Sequence, residues 1–203
     1  MWISSFVGMF SSCLSSISIL GGEEMKTLAV FDFDDTLFHS GARVIVQKPG
    51  EKPTYLSTHE YAVYVPDPDD EFDYSEFSTY PPRPEPIAQT TRALQSAVLR
   101  HGLENVVILS ARGNPDPVEK VLENFQMPPV EVIAIASSYP DHKADVLESL
   151  ISEKGYDRLV LYEDSIPNIN AIRAKIQPIL GKMFFAYQVT PTETGVRVKK
   201  ISR

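Results

Sequence analysis

The chain has 203 residues, 43% of them hydrophobic and 23% charged, enough for one domain with its own core plus a small insertion. Its formal net charge of -8 argues against charge-driven binding along a nucleic acid backbone, but leaves room for a site that handles one phosphate at a time. A single cysteine, Cys13, excludes an intrachain disulfide framework and a cysteine-rich zinc site.

Residues 1–24 carry no charge before Glu23 and are rich in serine. They lack the positive n-region of a signal peptide, and the serines weaken a membrane span. Gly21-Gly22-Glu23-Glu24 requires a purine-rich coding run directly before Met25, of the kind a bacterial ribosome reads ahead of a start codon. The expectation is therefore a non-native or disordered extension over 1–24, with a membrane anchor or an ordinary N-terminal arm as the alternatives. A single domain is expected over 25–203, in the cytoplasm, monomeric by default and without stable membrane association.

From Met25 onward, short apolar runs alternate with amphipathic segments. "TLAVF" (27–31) is the first predicted strand. Residues 39–86 then break the rhythm. The turn "KPGEKP" between 43–47 and 54–56 predicts a β-hairpin, and the acidic, aromatic and proline-rich remainder reads as an ordered excursion, not a helix. This insertion is either surface decoration or a flap over the carboxyl end of the sheet, and its place directly after the first strand favours the flap. A helix follows over 86–100, with Ile87, Thr91, Leu94 and Val98 on one face. Next come a strand at "ENVVILS" (104–110), a helix over 116–126 with Val118, Val121, Leu122 and Phe125 on one face, and a strand at "VEVIAIA" (130–136). A helix over 142–154, a strand at "DRLVLYE" (157–163) and a helix over 166–177 complete the alternation. The last helix places Ile166, Ile169, Ile172 and Ile176 in one stripe. "KMFFAYQV" (182–189) is a fifth strand, and the tail beyond it is an edge strand or a loose terminus. Short Val- and Ile-rich runs bounded by polar breaks read as buried parallel strands, and helices with one apolar face pack on them. The expected fold is α/β, a three-layer sandwich with a mainly parallel, Rossmann-like sheet. Ligands of such folds sit beyond the carboxyl ends of the strands.

Those strand ends hold the chemistry. Asp32 and Asp34 follow the first strand as an i, i+2 pair, which can offer two oxygen donors to a hard cation such as Mg2+. Taken alone, such a pair also reads as capping carboxylates. The second strand ends at Ser110, whose hydroxyl lies beside the backbone N–H groups of Ala111 and Arg112 and suits phosphate oxygens. Lys143 stands in the first turn of a helix, where the dipole slightly disfavours a cation, so pairing with an anion explains it better. The fourth strand ends in a second acidic pair, Glu163-Asp164, followed by "SIPN". The four histidines are scattered, with no pair at metal-ligand spacing.

Taken together, "DFDDTL" (32–37), Ser110 after an apolar strand, Lys143 and "YEDSIPN" (162–168) resemble the four motifs of the haloacid dehalogenase-like phosphohydrolase superfamily. The likeness is to its small phage and bacterial members and, loosely, to the phosphatase domain of polynucleotide kinase-phosphatases. It covers Met25 to about Val189, apart from the 39–86 insertion. The resemblance implies a Mg2+-dependent phosphomonoester hydrolase acting through an aspartyl-phosphate. In it Asp32 is the nucleophile and Asp34 the general acid and base. Ser110 and the Ala111 N–H hold the phosphoryl group, and Lys143 offsets its charge. Asp32, the Asp34 carbonyl and Asp164 hold the metal, Glu163 supports Lys143, and Thr36 and Asn168 order their loops. Arg112 is expected to contact the substrate beyond its phosphate. The implied partner is a phosphorylated small molecule or nucleotide, with a nucleic-acid end carrying a 3'-phosphate as an alternative. A non-catalytic binding domain on the same fold is a further alternative, although every residue of the reactive set is present.

Overall fold

The computed structural model describes residues 25–192 and 195–201, so the extension expected over 1–24 lies outside the described residues. β1 (Thr27–Phe31) has all five residues buried. The insertion follows, entered and left through a two-strand neck formed by β2 (Phe38–His39) and β6 (Glu85–Pro86). Between them the predicted hairpin forms from β3 (Arg43–Gln47) and β4 (Thr54–Ser57). Contrary to the expectation of no helix here, a short one, α1 (Thr58–Ala62), starts on a capping box in which Ser57 and Glu60 satisfy each other's backbone N–H groups. β5 (Glu71–Asp73) then pairs with the free edge of β3, giving a three-stranded antiparallel sheet. A 3₁₀ turn over Ser75–Ser78 brings the chain back toward the neck.

The core alternation comes next: α2 (Ala88–His101), β7 (Val106–Ser110), α3 (Asp116–Asn124), β8 (Glu131–Ala134) and α4 (Pro140–Lys154). It ends with β9 (Arg158–Glu163), α5 (Ile166–Leu180), β10 (Phe184–Thr192) and β11 (Gly195–Ile201). α4 ends at Gly155, whose φ of 64° provides the left-handed stop. The main sheet has six strands in the order β11-β10-β9-β1-β7-β8. Its pairings are parallel except β10 with β11, so the tail is an antiparallel edge strand.

Alternation along β1 divides the core in two. Leu28 and Val30 face a cluster that takes in Ala144, Leu147 and Ile151 of α4 and Ile169, Ile172 and Ile176 of α5. Ala29 and Phe31 face the other side, with Leu94 of α2 and Val118, Val121 and Leu122 of α3. Two helices on each face of a mostly parallel sheet make the three layers, and the predicted stripes supply both cores. Two expected stripe positions stay outside: Ile166, in the first turn of α5, is 39% exposed, and Phe125, just past α3, is 38% exposed. The strand expected over 130–136 is shorter, ending at Ala134. Beyond it, the N–H groups of Ile135, Ala136 and Ser137 bond to the carbonyls of Ser110, Arg112 and Ala111, bracing the loop after β7. Among the described residues no helix is long and apolar enough to cross a membrane.

Candidate active site

β1 is flanked by β7 and β9, so Asp32, Ser110 and Glu163 stand at the carboxyl ends of three adjacent parallel strands. Lys143 reaches the same place from the first turn of α4. Its Nζ donates to Asp32 Oδ1 at 2.6 Å and to Glu163 Oε2 at 2.9 Å, and all three residues are buried. The second Glu163 oxygen, Oε1, accepts from the Ser165 N–H and from Asn168 Nδ2. Ser165 caps α5 by accepting from the Asn168 N–H, so one cap both starts the helix and orders the acidic turn. Thr36 donates to Asp164 Oδ1 at 3.4 Å.

Three carboxylates against one ammonium in a dry setting leave excess negative charge. Burial pushes Asp32 up to about 7, against the pull of Lys143, and Glu163 and, least, Asp34 add to the rise. Asp164 is pushed well above the usual carboxylate range, first by burial and then by Glu163 and Asp32. Burial alone would lower Lys143, but the charges of Asp32 and Glu163 and their hydrogen bonds outweigh it and push the ammonium up.

One oxygen each from Asp32, Glu163 and Asp164 lie within 4.8 Å of one another, a donor set that could hold a hard cation. Hydrogen bonding separates the three. Both Glu163 oxygens are occupied by N–H donors, which assigns that side chain to support. Asp32 Oδ2 accepts no hydrogen bond among the described residues, and Asp164 Oδ1 accepts a long one from Thr36. Phe38 bonds to the Phe33 carbonyl and the Asp35 N–H, which leaves the Asp34 carbonyl outside that pairing. Asp32 and Asp164 are thus the side chains left for a cation, and they fit one.

Ser110 is buried, and its Oγ accepts from the Arg112 N–H at 3.2 Å, leaving the hydroxyl proton free to donate. Ala111 is exposed beside it. No hydrogen bond among the described residues joins Ser110 or Ala111 to the carboxylate cluster. Arg112 differs from expectation. Its side chain is 1% exposed and its guanidinium is directed inward, onto Asp34, with Nε to Oδ2 at 2.9 Å and Nη2 to Oδ1 at 2.8 Å. Its Nη1 donates to the Phe77 carbonyl of the insertion at 2.9 Å, and it lies against the rings of Phe33 and Phe77.

Sequence reasoning missed two further contacts. Asp35, with φ of 56°, accepts from Thr58 at the start of α1 and bonds His39 Nδ1 at 2.9 Å. Tyr80 of the insertion bonds Asn124 at the end of α3. The "STHE" box at Ser57–Glu60 was the readable signal for α1, whereas the reach of Asp35 to Thr58 had none. Compared with protein-family models, with curated proteins and with solved structures, the chain finds no match, and its geometry carries the functional argument.

Proposed function

We propose that this protein is a Mg2+-dependent phosphomonoester hydrolase of the haloacid dehalogenase-like kind, acting through an aspartyl-phosphate at Asp32. One observation carries the reading. A buried carboxylate at the end of the central strand bonds a buried lysine through one oxygen, keeps the other free of N–H donors, and lies beside a second carboxylate with the same freedom. Glu163, by contrast, has both of its oxygens bonded by N–H donors. Asp32, Asp164 and the Asp34 carbonyl would hold Mg2+, which would supply charge neutralisation during phosphoryl transfer.

In the first half-reaction an Asp32 oxygen attacks phosphorus and the bond to the leaving oxygen breaks. Asp34 turns one oxygen out of its pair with Arg112, and a proton from that protonated carboxyl goes to the leaving oxygen. In the second, Asp34 takes a proton from water, the resulting hydroxide attacks phosphorus, and the Asp32–phosphorus bond breaks to release phosphate and the free carboxylate. Lys143 stays bonded to Asp32 and offsets the negative charge that gathers there, while the Ser110 hydroxyl and Ala111 N–H donate to the phosphoryl oxygens. Such catalysis is mostly positioning and electrostatic stabilisation.

The test is a panel of sugar phosphates, nucleotides, 3'-phosphorylated oligonucleotides and an aryl phosphate, assayed with and without Mg2+. Hydrolysis that needs Mg2+ and vanishes in Asp32→Asn is expected. No turnover on the whole panel, or turnover that survives Asp32→Asn, contradicts the reading.

A further inference from the structure

Charge on this chain is unevenly placed. Between Asp67 and Glu76 the insertion carries six carboxylates and no cation. Asp67 and Asp70 pair with Lys48, and Glu76 pairs with Arg43. Asp69, Glu71 and Asp73 are left exposed, with no ion-pair partner among the described residues. β11 is the opposite: Arg197, Lys199 and Lys200 are exposed, and the strand has no carboxylate. Register fixes where these cations stand. Lys199 pairs with Gln188, and Gln188 with Glu163, so Lys199 is level with the carboxyl end of β9. Arg197 pairs with Thr190, two residues, or about 7 Å, beyond that end. The β10–β11 hairpin therefore runs past the main sheet as an arm, at the end where Asp32 and Asp164 lie.

The two faces of the arm differ. On one, Val189 is buried, Val196 and Val198 are half-buried, and α2 touches β11, so this face anchors the arm. Ile201 faces the other way, into the cluster under α4 and α5. Alternation along β11 puts Lys199 and Arg197 on that second face. Arg173 of α5 stands beside Ile201, where the two line a depression with Ala186. Arg197, Lys199 and Arg173 thus form a row that descends from the arm along the edge of the sheet. None of the three is in an ion pair among the described residues. A guard against edge-to-edge pairing would also put lysine on an edge strand, but it would not require a helix arginine in the same row.

We propose that this row binds the phosphate backbone of a single-stranded oligonucleotide whose terminal phosphomonoester occupies the site at Asp32. The place of the terminal group rests on the hydrolase reading above; backbone binding by the arm does not. The exposed acids of the insertion repel a polyanion and the arm attracts it, so the strand leaves the site toward β11. β11 lies three strands from β1, about 14 Å, which a strand stacked as in B-DNA covers in about four nucleotides. Cations at a two-residue period suit a backbone that carries one charge on every nucleotide. The guanidinium forks of Arg197 and Arg173 match phosphate oxygens. An acidic protein segment has no such fixed spacing of charge. The row contains no aromatic ring, so it holds the backbone without reading the bases. The net charge of -8 keeps binding elsewhere on the surface weak.

Two readouts test this, one of which needs no activity. The first is fluorescence anisotropy of a labelled oligo-dT octamer without a terminal phosphate. Three phosphate contacts give a slope of about 2 in log Kd against log salt, a rise in Kd of about 20-fold between about 50 and 200 mM. Arg197→Ser and Lys199→Ser are each expected to lower that slope by about 0.7. Lys120→Glu, an exposed position of α3 on the other face of the sheet, is expected to keep it. All three positions are exposed, so melting near the wild-type temperature is expected and checks that each variant folds. The second readout is KM on oligo-dT chains of increasing length that carry a 3'- or a 5'-phosphate. KM is expected to fall up to about four nucleotides and then level off, and Arg197→Ser with Lys199→Ser should raise the octamer value to that of the mononucleotide. No measurable octamer binding, or equal weakening by Lys120→Glu, overturns the arm as a binding surface. Variants that aggregate yet bind the octamer as wild type does make the cations edge guards and overturn it too. An acidic phosphopeptide that displaces the octamer at equal concentration overturns the assignment to nucleic acid. Octamer binding through the arm with no Mg2+-dependent hydrolysis supports the surface and overturns the hydrolase reading instead.

Discussion

At the scale of single residues, Lys143 decides whether the site can exist. Among the described residues it is the one ammonium bonded to Asp32 and Glu163, and both of these short bonds are buried. Breaking a buried pair from one side leaves uncompensated charge, which typically costs about 3–5 kcal/mol. Lys143→Ala is therefore expected to destabilise the fold on that order in denaturant melts, and to lose activity as well. Added Mg2+ should restore part of the stability, because a cation replaces the missing positive charge. A melting midpoint equal to wild type would show that Lys143 is not the neutralising group. Asp35 has a different task from its neighbours, since its oxygens bond Thr58 and His39 and none of its hydrogen bonds reaches the carboxylate cluster. Thr58→Ala is expected to speed exchange at the start of α1 while leaving Mg2+ affinity as in wild type. Weakened Mg2+ binding in that variant would place Asp35 in the metal site.

At the scale of elements, the sequence was most readable where burial on both faces leaves no alternative. β1 and β7 are continuous apolar runs because each lies between two other strands and under helices on either side. The stripes of α3 and α5 were readable because one face of each packs on that sheet. β8 was read too long: Ile135 and Ala136 are apolar in sequence, yet their N–H groups brace the Ser110–Arg112 loop, and Ala136 turns with φ of 52°. β5 and the two-residue neck strands were missed because they are short and carry no apolar pattern; their pairing comes from contact with distant partners. The site divides the same way. Residues adjacent to strand ends could be placed from the strands alone. The grip of Arg112 on Asp34 spans 78 positions and joins two loops, and no local pattern records it. Phe77 lay in the acidic, aromatic stretch that composition could describe only as an excursion. Removal of its ring in Phe77→Ala is expected to raise protease sensitivity within the insertion without changing the melting of the main sheet; a joint loss of both would mean that the insertion and sheet unfold as one unit.

At the scale of the whole molecule, the excess of buried carboxylate links stability, pH and metal. Asp32 is raised to about 7 and Asp164 is raised too, whereas an unfolded aspartate titrates near about 4. Raised folded values mean that the contribution of these groups is fully present below about pH 4 and is lost as pH rises toward and through about 7. The metal-free protein is thus expected to lose stability from this cluster between those limits. On the proposed reading Mg2+ binds the ionised forms, so the rise in melting temperature on adding it should be small at pH 5 and larger at pH 8. An equal rise at both values would contradict the link. The central claim is covalent chemistry at Asp32, and intact-mass measurement after rapid mixing of Asp34→Asn with a nitrophenyl phosphate and Mg2+ tests it most directly. A good leaving group needs little protonation, so the first half-reaction should proceed, while the second lacks its base. The account predicts a protein population heavier by one phosphoryl group, which is absent when Asp32→Asn is added to the same chain. Turnover by Asp34→Asn with no such species at any time, or a phosphoryl group that persists without Asp32, would contradict it.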